Sequence, residues 1–424
     1  MRKLWRRTAE FPFAVRLLMV NQFAINLAFY MLMPYLAAHL AGTLGLAAWA
    51  VGLVLGVRNL SQQGLFLVGG TLADRFGYKG PIMAGCLLRT GGFALLGWVD
   101  SLPALIAASA ATGFAGALFN PAVRAYLAAE AGERRVDAFA IFNVYYQAGM
   151  FLGPPVGLAL LAADFGVVCA AAALIFAALT VLQWRALPAR RGDAAPEPGR
   201  DGVLAQWRTV VANRPFLLFA CAMVGSYVLG FQVYLALPLA ATDALGSSGT
   251  AATSGLFVVS AAVAVAGQLR ITDWVKRRWT PAEALVRGLC AMGLAFLPAA
   301  LVPALFPSGA PLVTFAALVL AVVLLAVGSA VVYPFEMDTV VALSGGRLVA
   351  THYGFYHTVS GLGITLGNLG VGALWDVARR HGMLWPVWAT LLLTGLACAG
   401  AVAGLARSGR LGVSGCRVGG VVGA

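Results

Sequence analysis

The side chains in this sequence that could carry protons are few, and they interrupt long apolar stretches. Glu336 and Asp338 follow Pro334 within one such stretch, and His357 lies in the next. Ionisable groups are expensive to bury in apolar surroundings and are seldom placed there without a role. A partly buried pair of carboxyls can exchange protons near neutral pH, as a proton carrier must. The proton-coupling candidates are therefore Glu336 and Asp338, with His357 as the third.

Chemistry of other kinds is not indicated. The sequence has no nucleophile–base pair, no nucleotide-binding loop and no Cys/His cluster with the spacing of metal ligands, so we expect no enzyme activity, no metal and no cofactor. Of the 424 residues, 61% are hydrophobic and 11% are charged, and the mean hydropathy is +0.86. Soluble domains carry about 25% charged residues. This composition excludes a soluble enzyme, a disordered chain and a nucleic-acid-binding domain, and it indicates a protein embedded in a lipid bilayer.

Twelve apolar segments are long enough to cross a bilayer, which takes about 20 residues. They lie at roughly 13–40, 48–71, 81–99, 103–128, 138–162, 165–184, 216–240, 251–271, 283–303, 311–341, 350–375 and 385–406. Because backbone polar groups in lipid must bond to one another, each segment is predicted to be a helix. The predicted fold class is an all-α membrane protein with twelve transmembrane helices.

A polar stretch rich in Arg, Pro and Gly divides the twelve segments into two sets of six. We expect a six-helix bundle at 1–184, a cytoplasmic linker at 185–214, a second bundle at 215–406 and a cytoplasmic tail at 407–424. Weak matches recur in the same order in both halves, and they pair Tyr30 with Tyr234, Asp74 with Asp273, and Gly153 with Gly367. Two homologous, pseudo-symmetric bundles are therefore predicted.

Basic residues are concentrated on one side of the predicted membrane. With the N-terminus inside, twenty-one of the 29 Lys and Arg residues lie in the termini, the linker and the loops of the cytoplasmic side. Only Arg379 and Arg380 lie in loops of the opposite side. Because positive loops remain in the cytoplasm, both termini are predicted to be cytoplasmic and the protein to lie in the cytoplasmic membrane. This bias also explains the net charge of +13 without a nucleic-acid partner.

The most specific motif is the turn after the second segment, which reads GTLADRFGYKG from Gly70 to Gly80. It resembles the G-x-L-x-D-R-x-G-R-K signature of the major facilitator superfamily, with Tyr78 in place of the second arginine. Gly77 permits a positive φ in a tight turn. The carboxylate of Asp74 is suited to a helix N-terminus, where negative charge is favoured.

Two further stretches extend this resemblance. Residues 149–157 read GMFLGPPVG and are similar to the G-x-x-x-G-P-x-x-G signature of the antiporter branch. The matching residues are Gly149, Gly153, Pro154 and Gly157. Residues 56–64 and 116–121 are similar to the MdtH-like multidrug efflux transporters of this branch. The arginine that many drug:proton antiporters carry in the fourth segment is replaced here by Ser109 or Thr112.

The resemblance implies a cytoplasmic latch, which is a set of contacts that closes the cytoplasmic face between the two bundles. Its residues are Gly70, Asp74, Arg75, Gly77, Lys79, Arg124, Asp273 and Arg277. Arg124 is then a partner for Asp74, and Lys276 or Arg277 a partner for Glu336 or Asp338. Those two acids therefore have two roles open to them, as latch residues or as proton carriers.

Polar and aromatic residues recur at helical spacing in the first, fifth, seventh and eleventh segments. They are Gln22, Asn26, Tyr30, Asn143, Tyr146, Gln147, Tyr227, Tyr234, His357 and Ser360. In the family that the chain resembles, the corresponding helices line or flank a central cavity. An apolar and aromatic cavity with scattered hydrogen-bonding groups is therefore expected. The alternative for each residue is hydrogen bonding between helices without substrate contact.

The implied function is secondary active transport by alternating access, in which two bundles rock about a central site. The favoured cargo is a small lipophilic compound, either a drug or an endogenous secondary metabolite, exported in exchange for protons. The alternative is uptake of a metabolite by proton symport. A transport-inactive receptor or a membrane enzyme is less favoured. The expected partners are a small-molecule substrate, protons and the bilayer, and the expected state is a monomer.

Overall fold

The computed structural model describes residues 2–190, 202–305 and 311–411, and all regular elements within those ranges are helices. The helices of the first half and the linker are α1 (Arg2–Ala9), α2 (Phe13–Ala38), α3 (Ala48–Gly64), α4 (Phe66–Phe76), α5 (Lys79–Trp98), α6 (Leu102–Ala131), α7 (Arg135–Leu161), α8 (Phe165–Ala186) and α9 (Val203–Ala212). The helices of the second half are α10 (Arg214–Phe231), α11 (Ala236–Leu245), α12 (Gly249–Arg278), α13 (Pro281–Leu294), α14 (Leu297–Leu305), α15 (Pro311–Ser344), α16 (Val349–Arg380) and α17 (Trp385–Arg407).

These helices account for twelve membrane crossings. Within the described residues, nine stretches are long and apolar enough to cross a bilayer, and one of them, Leu102–Leu161, contains both α6 and α7 around a short turn. The pair α3 and α4 adds a crossing that is bent by 45°. Helix α16 is more polar but spans 32 residues, enough for the remaining crossing. The predicted all-α fold with twelve transmembrane helices is confirmed.

Several segments differ from the continuous helices that the sequence predicted. The seventh is divided into α10 and α11 by a 3-10 turn at Gln232–Tyr234. Pro238 explains this break, because proline cannot donate to the carbonyl of Tyr234 and its ring crowds that carbonyl. The linker also contains a helix, α9, which was not predicted. Residues 191–201 of the predicted linker and 412–424 of the predicted tail lie outside the described residues, and the division into bundles, linker and tail stays a prediction.

Helix packing follows the predicted internal symmetry. Within the first half α2 lies against α7 and α5 lies against α6 and α8, and within the second half α13 lies against α15 and α17. The halves meet where α4 contacts α16 and where α7 contacts α12. In each contact the second segment of one half meets the fifth segment of the other. This is the arrangement that two pseudo-symmetric six-helix bundles require.

Candidate functional site

The two halves are joined at the end of the molecule where Asp74 lies, which we call the Asp74 end. The buried carboxylate of Asp74, at the end of α4, accepts hydrogen bonds from the backbone N–H groups of Ala350 (3.1 Å) and Thr351 (2.7 Å). The Thr351 hydroxyl donates a third bond at 2.7 Å. An acid of the first half therefore caps the N-terminus of α16 in the second, where negative charge is favoured.

Two glycines of the family motif make this contact possible. A Cβ atom on Gly70 would come within 2.1 Å of the Ala350 carbonyl oxygen, so only glycine lets α4 approach the start of α16. Gly77 follows α4 with φ +86°, the positive φ that the tight turn was predicted to need. Lys79 donates to the carbonyl of Trp184 at 2.8 Å and ties the turn to α8. Arg75 is half-buried at the end of α4.

Three ion pairs cross between the halves at the same end. Arg7 of α1 binds both carboxylate oxygens of Asp273 at 2.7 Å, and this hydrogen-bonded carboxylate raises the pKa of Arg7. Lys276 pairs with Asp137 at 2.8 Å. Arg135 pairs with Asp338 at 2.5 Å. Together with Asp74, these pairs join the two halves at the Asp74 end.

The ion pairs predicted for the latch, Arg124 with Asp74 and Lys276 or Arg277 with an acid of α15, are wrong. Arg124 does not bind Asp74 but donates to the backbone carbonyl (3.1 Å) and the side-chain oxygen (3.3 Å) of Asn120, one turn earlier in α6. The Asp74 carboxylate is already occupied by the start of α16, which explains the difference. Lys276 pairs with Asp137 in place of an acid of α15. Arg277 is exposed and forms no ion pair with the part of the chain that the structure describes.

Glu336 and Asp338 lie in different surroundings, although the sequence analysis predicts that they act as a pair. Positions two apart on a helix differ by about 200° in direction, which puts these two side chains on opposite faces of α15. Asp338 is partly exposed and binds Arg135, as described above. Glu336 is 4% exposed, its carboxylate accepts a hydrogen bond from Tyr356, and Tyr227 lies close by. The two carboxyls therefore do not form the partly buried pair that the sequence predicts.

The Glu336 carboxyl lies in an aromatic cluster between the halves. The rings of Tyr227 and Tyr356 have centroids 5.9 Å apart, and the His357 ring lies 6.3 Å from Tyr227. The guanidinium of Arg124, from the first half, lies close to Glu336 and Tyr333. The cluster thus brings together an acid, a cation and phenol groups from both halves.

His357 was predicted both to line the cavity and to be a third proton candidate. Its ring is half-buried and lies 5.4 Å from the ring of Phe66, and its Nε2 atom has no hydrogen-bond partner among the described residues. Ser360, one turn later, is 1% exposed, and its hydroxyl likewise has no partner within the described ranges. Both side chains lie on the same face of α16 as Tyr353 and Tyr356. Because Tyr356 binds Glu336, this face lies next to the Glu336 cluster.

The predicted cavity residues fall into two groups. The hydroxyl of Tyr234 lies 3.6 Å from the sulfur of Met150 in the other half. Tyr30 and Tyr146 of the first half lie near Tyr234, so these three tyrosines lie close to the interface between the bundles. Gln147 is half-buried on α7, next to Tyr146. In contrast, Gln22 and Asn26 are buried inside the first bundle, where Asn26 donates to the carbonyl of Gln22 at 2.8 Å. Asn26 packs against Gly149 of α7, one turn before Tyr30.

Asn143 crosses the interface to a residue that sequence reasoning missed. Its side-chain amide donates to Gln268 of α12 at 2.8 Å, and Gln268 is fully buried. Gln268 in turn donates to Thr272 (3.1 Å) and to the carbonyl of Ala330 (2.8 Å). An uncharged glutamine in an apolar segment is itself a signal of burial with partners, and it could have been singled out on that ground.

The antiporter-type motif forms a packing surface between α7 and α2. A Cβ atom on Gly149 would lie 2.4 Å from the Phe23 carbonyl oxygen, and one on Gly157 would lie 1.9 Å from that of Met31. A Cβ atom on Gly153 would lie 2.7 Å from the Cβ atom of Tyr30. The carbonyl of Pro154, within α7, accepts a hydrogen bond from Tyr35 at 2.7 Å. These small residues let two helices of the same bundle touch along their length.

Comparisons with known proteins agree with this architecture. The sequence profile of the Major Facilitator Superfamily matches residues 18–368. The chain is 58% identical over 392 residues to an uncharacterized MFS-type transporter of Mycobacterium tuberculosis, which covers 92% of each chain. It is 31% identical over 382 residues to the multidrug resistance protein MdtH of Edwardsiella ictaluri, covering 89% of this chain and 90% of that one. The fold is similar to that of the Escherichia coli fucose:proton symporter FucP, with a TM-score of 0.72, 15% identity and coverage of 92% and 97%.

Proposed function

Because the chain belongs to the Major Facilitator Superfamily and is therefore a membrane transporter and not an enzyme, we propose that it exports small lipophilic compounds by proton antiport. The named drug-resistance relatives, at about one-third identity, support export over uptake. The antiporter-type glycines also support export over uptake. The cargo binds between the bundles, near Tyr30, Tyr146 and Tyr234, and the bundles alternate in closing around it.

The observation that carries the proposal is the position of Glu336. Its carboxyl is buried in the second half, near Arg124 of the first half, and accepts a hydrogen bond from the Tyr356 hydroxyl. In this place the carboxyl can hold a proton in one state of the transporter, and Arg124 can stabilise its charged form in another. We assign proton coupling to Glu336 and latch closure to Asp338, which binds Arg135 at 2.5 Å.

We further propose that the Asp74 end faces the cytoplasm and that both termini lie inside. The concentration of Lys and Arg in the termini, the linker and the loops at this end supports this orientation. The structure is then closed to the cytoplasm, and the protein works in the cytoplasmic membrane as a single chain. A reporter that is active only outside the cytoplasm, fused after Ala424, is expected to stay silent.

Inverted membrane vesicles test export and its direction. With the vesicle interior made acidic, a lipophilic dye is expected to accumulate inside vesicles that contain the protein, and collapse of the pH gradient is expected to stop accumulation. Vesicles without the protein are the control. Dye accumulation driven by the opposite gradient would identify a proton symporter, the alternative reading, and would contradict export.

A further inference from the structure

Two arginines of the first half, Arg58 and Arg89, belong neither to the latch nor to the Glu336 cluster. Arg58 lies in α3 and Arg89 in α5, and each guanidinium carbon lies 5.3 Å from the centroid of the same ring, Phe29. Arg89 is 6% exposed, and it also lies 5.4 Å from the ring of Phe176. Two positive charges are thus held side by side in an apolar bundle.

The structure gives this pair of cations no carboxylate. No acid within residues 2–190, 202–305 or 311–411 forms an ion pair with Arg58 or Arg89, and the Nε atom of each is buried without an acceptor. Asp74, the acid of α4, is taken up by the start of α16. Cation–π contacts offset only part of the desolvation of two guanidinium groups, so the pair is incompletely compensated.

The pair lies beside the tyrosines of the candidate cavity. Arg58 is half-buried, and it donates to the exposed Asn59 and, at 3.4 Å, to Gln62. The ring of Phe29, which both guanidinium groups face, lies 5.2 Å from the ring of Tyr30. The arginines are therefore adjacent to Tyr30, one of the residues to which we assign the cargo.

A glycine in α6 makes room for the deeper arginine. A Cβ atom on Gly116 would lie 3.1 Å from an Nη atom of Arg89 and 3.1 Å from the side-chain carbon of Gln62. Because glycine has no side chain there, Arg89 can extend across α6 toward Gln62 and Arg58. Helices α3, α5 and α6 thus bring the two guanidinium groups and the Gln62 side chain together.

We propose that Arg58 and Arg89 form an oxyanion-binding site and that the cargo of this transporter is a lipophilic organic acid. The guanidinium groups bind its carboxylate through paired N–H donors, and its apolar body lies among the aromatic side chains around Tyr30. This assignment rests on the proposed transport function, because it names the chemical class that the same cavity accepts.

Binding to the purified full-length protein tests the site without any need for proton coupling. The probes are naphthaleneacetate and naphthaleneacetamide, which differ mainly in charge, and affinity is measured by isothermal titration calorimetry. The wild-type protein is expected to bind the acid at least about tenfold more tightly than the amide, the range of one charge-assisted hydrogen bond. Arg58→Gln and Arg89→Gln are each expected to remove most of this preference.

Two controls separate loss of the site from loss of the fold. Arg287→Gln removes an arginine from α13 that lies half-exposed beside Glu283, and it is expected to leave the preference unchanged. Arg89→Lys keeps the charge but removes the planar fork, so it is expected to retain part of the preference. The melting temperature of each variant in the same detergent reports its folding.

Equal binding of acid and amide by the wild-type protein would overturn the proposal, as would an unchanged preference in both glutamine variants. Binding of chloride with no binding of naphthaleneacetate would show an inorganic ion site and would also overturn it. The vesicle assay separates this inference from the proposed function. Export of a neutral dye without any preference for the acid contradicts the inference alone, whereas acid binding without proton-driven export contradicts only the proposed function.

Discussion

The substitution Asp74→Asn tests how the Asp74 end is held closed. The carboxylate accepts three hydrogen bonds from Ala350 and Thr351, at 3.1, 2.7 and 2.7 Å. The asparagine amide keeps one acceptor oxygen and places an NH2 group against the donors at the other position. Loss of one charge-assisted bond weakens the closed state by about 2–3 kcal/mol. This energy corresponds to an about 30- to 150-fold shift away from closure.

Hydrogen exchange measured by mass spectrometry reads this shift directly, because the amides of Ala350 and Thr351 are the donors. In the variant these amides are expected to exchange faster by about the factor given above, and export is expected to slow severely while the protein remains inserted. Asp164→Asn is the matched control, since Asp164 caps α8 by accepting from Gly166 at 2.6 Å within one half. Unchanged exchange at the start of α16 together with normal export by Asp74→Asn would refute the reasoning.

Two further substitutions test other contacts. Asp273→Asn weakens the pair with Arg7, whose side chains are 27% and 16% exposed, so closure is expected to weaken by about 1 kcal/mol or less and export to slow by less than about tenfold. Loss of export as complete as in Asp74→Asn would contradict this ranking. Gly157→Ala places a Cβ atom within 1.9 Å of the Met31 carbonyl and is expected to lower the melting temperature strongly, whereas Gly372→Ala, which has open space, is expected to leave it unchanged. Equal melting temperatures would argue against the packing role.

The sequence predicts the fold and the family loop well because both are determined locally. Apolar segments of membrane length must be helices, and the positive φ of Gly77 follows from a tight turn between two of them. The preference of Asp74 for a helix N-terminus was also correct. Which helix it caps could not be predicted, because α16 follows about 275 residues later and is brought there by the packing of two bundles.

The partners of the charged residues were harder to predict for the same reason. Arg7 and Arg135 were interpreted only as markers of the cytoplasmic side, yet they bind Asp273 and Asp338 across the interface. That Glu336 and Asp338 lie in different surroundings, by contrast, could be predicted from the sequence. A spacing of two residues on a helix places side chains on opposite faces, and this rule alone distinguishes Glu336 from its neighbour.

The division of roles between Glu336 and Asp338 is the central claim, and proteoliposomes with Glu336→Gln and Asp338→Asn test it most directly. Each variant is assayed for efflux driven by a proton gradient and for substrate exchange without a gradient. Glu336→Gln is expected to lose gradient-driven efflux and to keep exchange, because only the proton step is removed. Asp338→Asn is expected to slow both activities together, because it weakens closure. Full gradient-driven efflux by Glu336→Gln, or loss of both its activities, would contradict the account.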